Sequence, residues 1–385
     1  MEPRSIPYGR QHINEDDIQA VVQTLQSDFL TQGPQIPAFE NAFAEYVGAK
    51  YAVAVANGTA ALHLCALALD VQAGHKVITS PITFAASANC IKYCGGDVVF
   101  ADINPNTALL DVQAVKKLVE NAPKGTYKGI IPVDFAGLAV DMQAFRELAN
   151  EHNLWIIEDA CHAPGASFFD TNNTEHMCGS GQYADLAIFS FHPVKHIACG
   201  EGGMITTNNE NLYKKLLLLR THGITKDANL LHENHGAWYY EMQTLGYNYR
   251  LTDFQAALGI SQLKRANWGL QRRKEIAEVY YKAFENTALK YLQIPQNTTH
   301  AYHLFVVLVN NRLGLYNYLR ENNVFAQVHY IPVHLMPYYK QLGFKKGDFP
   351  QAENYYEHCL SLPMFPTLTN EEQARVIELV LEFVS

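Results

Sequence analysis

The chain has 385 residues, 48% apolar and 17% charged, which is enough for two domains with a sizeable core. Its formal net charge of −9 and the lack of any Lys/Arg block argue against a nucleic-acid scaffold. No uncharged apolar run reaches the ~18 residues of a membrane span, Met1 to Pro7 hold no signal-peptide core, and the seven cysteines form no disulfide framework, so a cytoplasmic location is expected.

The first predicted element is a helix capped by Asn14, with Glu15, Asp16 and Asp17 in its first turn and Ile18, Val21, Val22 and Leu25 as its apolar face. Strands and helices then alternate. Strands are predicted over Tyr51–Ala56, Lys76–Ser80, Asp97–Ala101, Gly129–Val133, Leu154–Glu158 and Leu186–Phe189. Helices are predicted over Thr59–Leu69, Phe84–Cys94, Asp111–Asn121 and Asp141–His152. The strand runs are short, rich in Val and Ile, and apolar throughout rather than alternating, as strands buried on both faces are. The order predicts an α/β domain with a mostly parallel sheet over 1–252. From Asp253 the pattern changes. One long helix is expected to about Phe284, then a Pro/Asn/Thr link at 295–299 and a smaller α+β unit ending in a helix from Asn370 to Phe383, so that 253–385 forms a second domain.

In open α/β sheets ligands sit outside the carboxyl ends of the strands. Here those exits carry a coherent set. Asn57-Gly58-Thr59 offers a glycine, a hydroxyl and the free amides of a helix start, a seat for phosphate, although a plain helix cap explains it equally. Phe84 is placed to lie over a flat ring, or to be an ordinary core aromatic. Asp159 abuts a buried strand, where a carboxylate is costly unless paired. Its partner could be a pyridinium N–H, a helix amide or a structural arginine. His162 could bond a ring oxygen or be a satisfied interior histidine. Ser190 adds a second hydroxyl, and Lys195 follows between Phe191, His192, Pro193 and Val194, poor company for a solvated lysine. An amine and an acid on two strand exits suit pyridoxal 5'-phosphate (PLP). The amine forms a Schiff base with the aldehyde, and the acid keeps the ring nitrogen protonated. No Gly-x-Gly-x-x-Gly follows the first strand, no Gly-x-Ser-x-Gly elbow is present, and Cys161, His162, Cys178 and Cys199 fit no zinc spacing, so no metal is expected.

These segments resemble the DegT/DnrJ/EryC1/StrS sugar aminotransferases. The likeness runs through Asn57–Leu62, Pro81–Asn89, Glu158–Ala160, Phe189–Lys195, Glu201–Gly203, Arg220–Gly223 and Gly246–Asp253. It implies fold type I of the PLP-dependent transferases, the aspartate aminotransferase-like fold. It also implies Lys195 as the Schiff-base lysine, Asp159 on the ring nitrogen, and Gly58, Thr59 and Ser190 at the phosphate. Asn248 would reach the phosphate of a neighbouring subunit, making a homodimer. The amino donor would be L-glutamate and the acceptor a UDP-linked keto sugar. Relatives that act as dehydratases carry His where this chain has Lys195, so transamination is favoured. Many relatives have Gln where His162 stands, and the segment 225–240 has no counterpart in the pattern.

Ile6–Gln11, Ser27–Pro34, Ala257–Leu263 and Ala326–Val333 resemble the branch that serves pseudaminic acid synthesis, which implies amination at C4. Tyr8 and His329 are the expected sugar contacts, with bracing of the smaller unit as an equal alternative for His329. The competing readings are a C3 transaminase, a dehydratase, and a PLP-bound regulatory protein without turnover.

Overall fold

The structure is a computed structural model that describes residues 5–385. Met1 to Arg4, part of the stretch read as lacking a signal-peptide core, lie outside the described residues. Its centre is a seven-stranded sheet of β1 (Tyr51–Val55), β2 (Lys76–Thr79), β3 (Asp97–Phe100), β4 (Tyr127–Ile131), β5 (Trp155–Asp159), β6 (Leu186–Ser190) and β7 (Gly203–Thr207), in the order β1-β7-β6-β5-β4-β2-β3. Only β7 runs antiparallel to its neighbours.

The unbroken apolar runs follow from burial on both faces. Ala52 and Ala54 join one core layer with Phe39, Phe43 and Phe145, while Val53 and Val55 join the other with Leu64, Ile91 and Leu216. A third apolar cluster gathers Ile6 with residues from Ile276 to Val380, and the Ile6–Pro7 strand pairs with Val324–Phe325. Among the described residues no helix is long and apolar enough to cross a membrane.

Two helices depart from expectation. The predicted Asp253–Phe284 helix is two helices, Asp253–Leu263 and Ala266–Phe284. Arg265 sits at the break. Its guanidinium pairs with Asp17 and also bonds His12, so the chain turns where it is tethered to the first helix. That first helix, α1 (Glu15–Leu25), has the expected Asn14 cap, which Asp17 completes as a capping box. It rests on the Asp253–Leu263 helix through buried Asp17 and Thr24, whereas Ile18, Val22 and Leu25 of its predicted apolar face are exposed. The periodicity is real, but the face it marks finds no cover among the described residues.

Candidate active site

The carboxyl ends of β1, β2, β5 and β6 open into one cavity of about 740 Å³. Gly58, Thr59, Phe84, Asp159, His162, Ser190, Lys195, Tyr8 and His329 all line it. The sequence-predicted residues therefore meet in one place, with the exception of Asn248. Asn248 is exposed, pairs with Thr221, and lies outside the cavity of its own chain.

At the exit of β1, helix α3 (Gly58–Ala68) starts at once. Asn57 is its cap, and its side chain accepts from the Ala60 amide at 2.8 Å. The cap and seat readings are therefore compatible, because capping Ala60 leaves the amides of Gly58 and Thr59 without intrahelical acceptors. The seat is tight. A Cβ at Gly58 would come within 3.0 Å of Ser190 Cβ and 3.6 Å of Cys161 Sγ. A Cβ at Gly203 would come within 2.5 Å of the Asn57 carbonyl oxygen, so the Gly202-Gly203 turn lets β7 pass beneath the helix start.

Asp159 is buried at the end of β5. Ser87 donates to its Oδ2 at 2.7 Å and the Cys161 amide to its Oδ1 at 3.2 Å. Ser87 is braced in turn by Thr83, 2.7 Å away. These bonds aim the carboxylate without neutralising it, since no cation pairs with it among the described residues. Helix α4 (Ala86–Tyr93) begins at Ala86 rather than Phe84, so Phe84 stands before it. Its ring is 63% exposed on the cavity, which rules out the core-aromatic reading.

Lys195 forms no ion pair among the described residues. Burial lowers its pKa from the ordinary lysine value; Cys161 and Asp159 oppose this and Arg273 adds to it. A lysine so placed keeps more of its amine neutral and nucleophilic. His329 is buried, with Nδ1 2.9 Å from Ser361 Oγ, and burial followed by the Lys195 charge pushes it down to about 3. It both braces the Cys359–Leu362 strand and faces the cavity. The ring of Tyr8 lies 5.2 Å from the His329 ring.

His162 is already engaged on both nitrogens. The Ala136 amide donates to Nδ1 at 3.2 Å, and Nε2 lies 3.1 Å from Tyr330 Oη. Among the described residues Cys161, His162 and Cys199 join no metal-ligating group. Cys178 instead meets Asp134 and Glu158, their ligand atoms within 4.8 Å of one another. Burial raises both carboxyls above their usual range, and for Glu158 the charge of Asp134 adds to the rise.

The profile of the DegT/DnrJ/EryC1/StrS aminotransferase family matches residues 11–381. The chain belongs to this family. It is 41% identical over 395 residues to the spore coat polysaccharide biosynthesis protein SpsC of Bacillus subtilis, covering 98% of this chain and 97% of that one. Among solved structures it resembles Helicobacter pylori PseC, an aminotransferase of pseudaminic acid biosynthesis, with TM-score 0.88 and 30% identity over 99% of both chains. It also resembles the PLP form of the putative sugar aminotransferase Spr1654 of Streptococcus pneumoniae, with TM-score 0.89 and 30% identity over 99% of this chain and 100% of that one.

The chain is thus a sugar aminotransferase of the PLP-dependent fold type I class. Its cavity suits PLP on local grounds: free helix amides beside a tight glycine seat, an aimed carboxylate without a cation, and a neutral-leaning lysine. Several lining residues were not anticipated: Cys161, His63, Tyr93, Tyr249 and Tyr330, and neither was Ser87, which bonds Asp159 from behind the lining. Ser87 had a signal in the sequence, since it lies one helical turn from Thr83 and faces the same strand exits.

Proposed function

We propose that this aminotransferase moves an amino group from L-glutamate to C4 of a UDP-linked 4-keto-6-deoxy-N-acetylhexosamine, giving UDP-4-amino-4,6-dideoxy-N-acetyl-β-L-altrosamine for pseudaminic acid. The observation that carries the substrate choice is the whole-length likeness to PseC. The bound cofactor would supply an electron sink for the carbanion formed at the amino-bearing carbon.

The chain's own residues do the rest. Lys195 Nζ would hold the cofactor through its aldehyde carbon, and as a free amine the same atom would remove the proton from the glutamate Cα. Asp159, aimed by Ser87 and the Cys161 amide, holds the ring nitrogen in its protonated state. The Gly58 and Thr59 amides, with the hydroxyls of Thr59 and Ser190, hold the phosphate. Phe84 covers the ring face and sheds exposed apolar area in doing so. Tyr8 and His329, which line the same cavity, meet the sugar. Asn248 reaches the phosphate of a second subunit in a homodimer, and the exposed Ile18, Val22 and Leu25 of α1 supply apolar surface for such a partner.

A second reading is amination of another nucleotide-linked keto sugar for a surface polysaccharide. It is favoured by the identity to SpsC, which exceeds that to PseC. Incubation with PLP, glutamate and a panel of UDP- and dTDP-linked 4-keto-6-deoxy sugars, read by NMR of the products, separates the two. The proposal expects the UDP-N-acetyl-L-arabino compound to be aminated at C4 in preference to the others. Preference for a dTDP sugar would transfer the assignment to the second reading.

A further inference from the structure

The ring of PLP carries its nitrogen opposite the aldehyde carbon, and its phosphate arm and ring oxygen on the two opposite flanks of that carbon. With Lys195 at the aldehyde, Asp159 at the nitrogen and the Gly58–Ser190 seat at the phosphate, the oxygen must face the wall across from the seat. Two consecutive residues at the exit of β5 separate these walls. Cys161 points at the seat, since its Sγ lies 3.6 Å from where a Gly58 Cβ would be. His162 points the other way, to Ala136 and Tyr330.

The hydrogen bonds of His162 then decide which group can donate. Nδ1 accepts from the Ala136 amide, so it carries no proton. The ring is neutral, because burial and then the charge of Lys195 hold its pKa well below the ordinary value. The single ring proton is therefore on Nε2, and it is donated to Tyr330 Oη, 3.1 Å away. His162 has no further proton to offer. The Tyr330 hydroxyl accepts this bond, and its own proton has no other acceptor among the described residues. Tyr330 lines the cavity, and its ring lies 6.3 Å from Phe84, the residue that would cover the ring face. Burial keeps the phenol protonated by raising its pKa.

We infer that the Tyr330 hydroxyl donates the hydrogen bond to the ring oxygen of the cofactor, and that His162 is a positioning residue that turns this hydroxyl toward it. The inference rests on the roles proposed above for Lys195, Asp159 and the phosphate seat. It assigns to Tyr330 a contact for which the sequence offered His162 as one of two readings.

The test is a pH titration of the visible absorption of the Lys195-linked cofactor in wild type, Tyr330→Phe and His162→Leu. The linking nitrogen keeps its proton because of the negative ring oxygen beside it. A donor to that oxygen withdraws charge and makes the proton easier to lose. Removing the donor in Tyr330→Phe should raise the titration midpoint by about one to two pH units. His162→Leu keeps the hydroxyl but loses the bond that orients it, so its midpoint should rise by a smaller amount. A Tyr330→Phe midpoint equal to that of wild type would overturn the inference, as would a larger shift in His162→Leu than in Tyr330→Phe. If wild type forms no visible band that depends on Lys195, the failure lies instead in the site assignment beneath it.

Discussion

Replacing Lys195 with alanine should abolish the visible absorption of protein-linked cofactor and lower turnover by at least about 10³-fold, since one side chain supplies both the covalent link and the general base. The fold should survive. The Lys195 side chain makes no ion pair among the described residues, and the backbone turn is held by its amide bonding to the His192 carbonyl at 2.8 Å. Circular dichroism and the amplitude of the added-cofactor spectrum measure the two effects separately. Near-normal turnover in this variant would remove Lys195 from the chemistry altogether. The variant should still bind PLP without covalent attachment, because Gly58, Thr59, Ser190 and Asp159 do not depend on the Lys195 side chain.

Asp159→Asn should be the next most damaging change. The amide keeps the size of the side chain and can still accept from Ser87, so the cavity should hold its shape. What is lost is a buried carboxylate facing a ring cation. Breaking a buried pair costs about 3–5 kcal/mol, roughly a 10² to 10⁴-fold loss in rate. The loss should appear in single-turnover formation of the aminated cofactor with glutamate, while the Lys195-linked absorption still forms. A variant that turns over within a factor of about two of wild type would mean that the ring nitrogen is held elsewhere. Ser87→Ala, which removes the bond aiming Oδ2, should fall between wild type and Asp159→Asn in the same assay, since the Cys161 amide still holds Oδ1.

Much of this site was legible because its residues sit next to features that sequence reveals well. Strands buried on both faces leave apolar runs, and those runs point to their own exits, where Asp159, Ser190 and Lys195 stand. Phe84 was legible as a position but not as an exposed ring. Whether an aromatic after a strand is core or cover depends on where the next helix starts, and α4 starts two residues later. The coupling of His162 to Tyr330 was not legible. It joins residues 168 positions apart and depends on which nitrogen of one ring faces a backbone amide. The break at Lys264 and Arg265 was hidden for a similar reason, because the amphipathic pattern continues through it while the Asp17 tether acts from the far end of the chain. The first helix shows the converse. Its apolar stripe is visible in Ile18, Val22 and Leu25, but nothing among the described residues covers it.

The account depends on a covalent bond between the coenzyme and one particular amine. Borohydride reduction of the PLP-loaded protein, followed by proteolysis and mass spectrometry, reads that bond directly. A reduced pyridoxyl phosphate adduct on the peptide containing Lys195, and on no other lysine at comparable yield, is the predicted result. An adduct found mainly on a different lysine, or a yellow protein from which reduction traps nothing on this peptide, would contradict it.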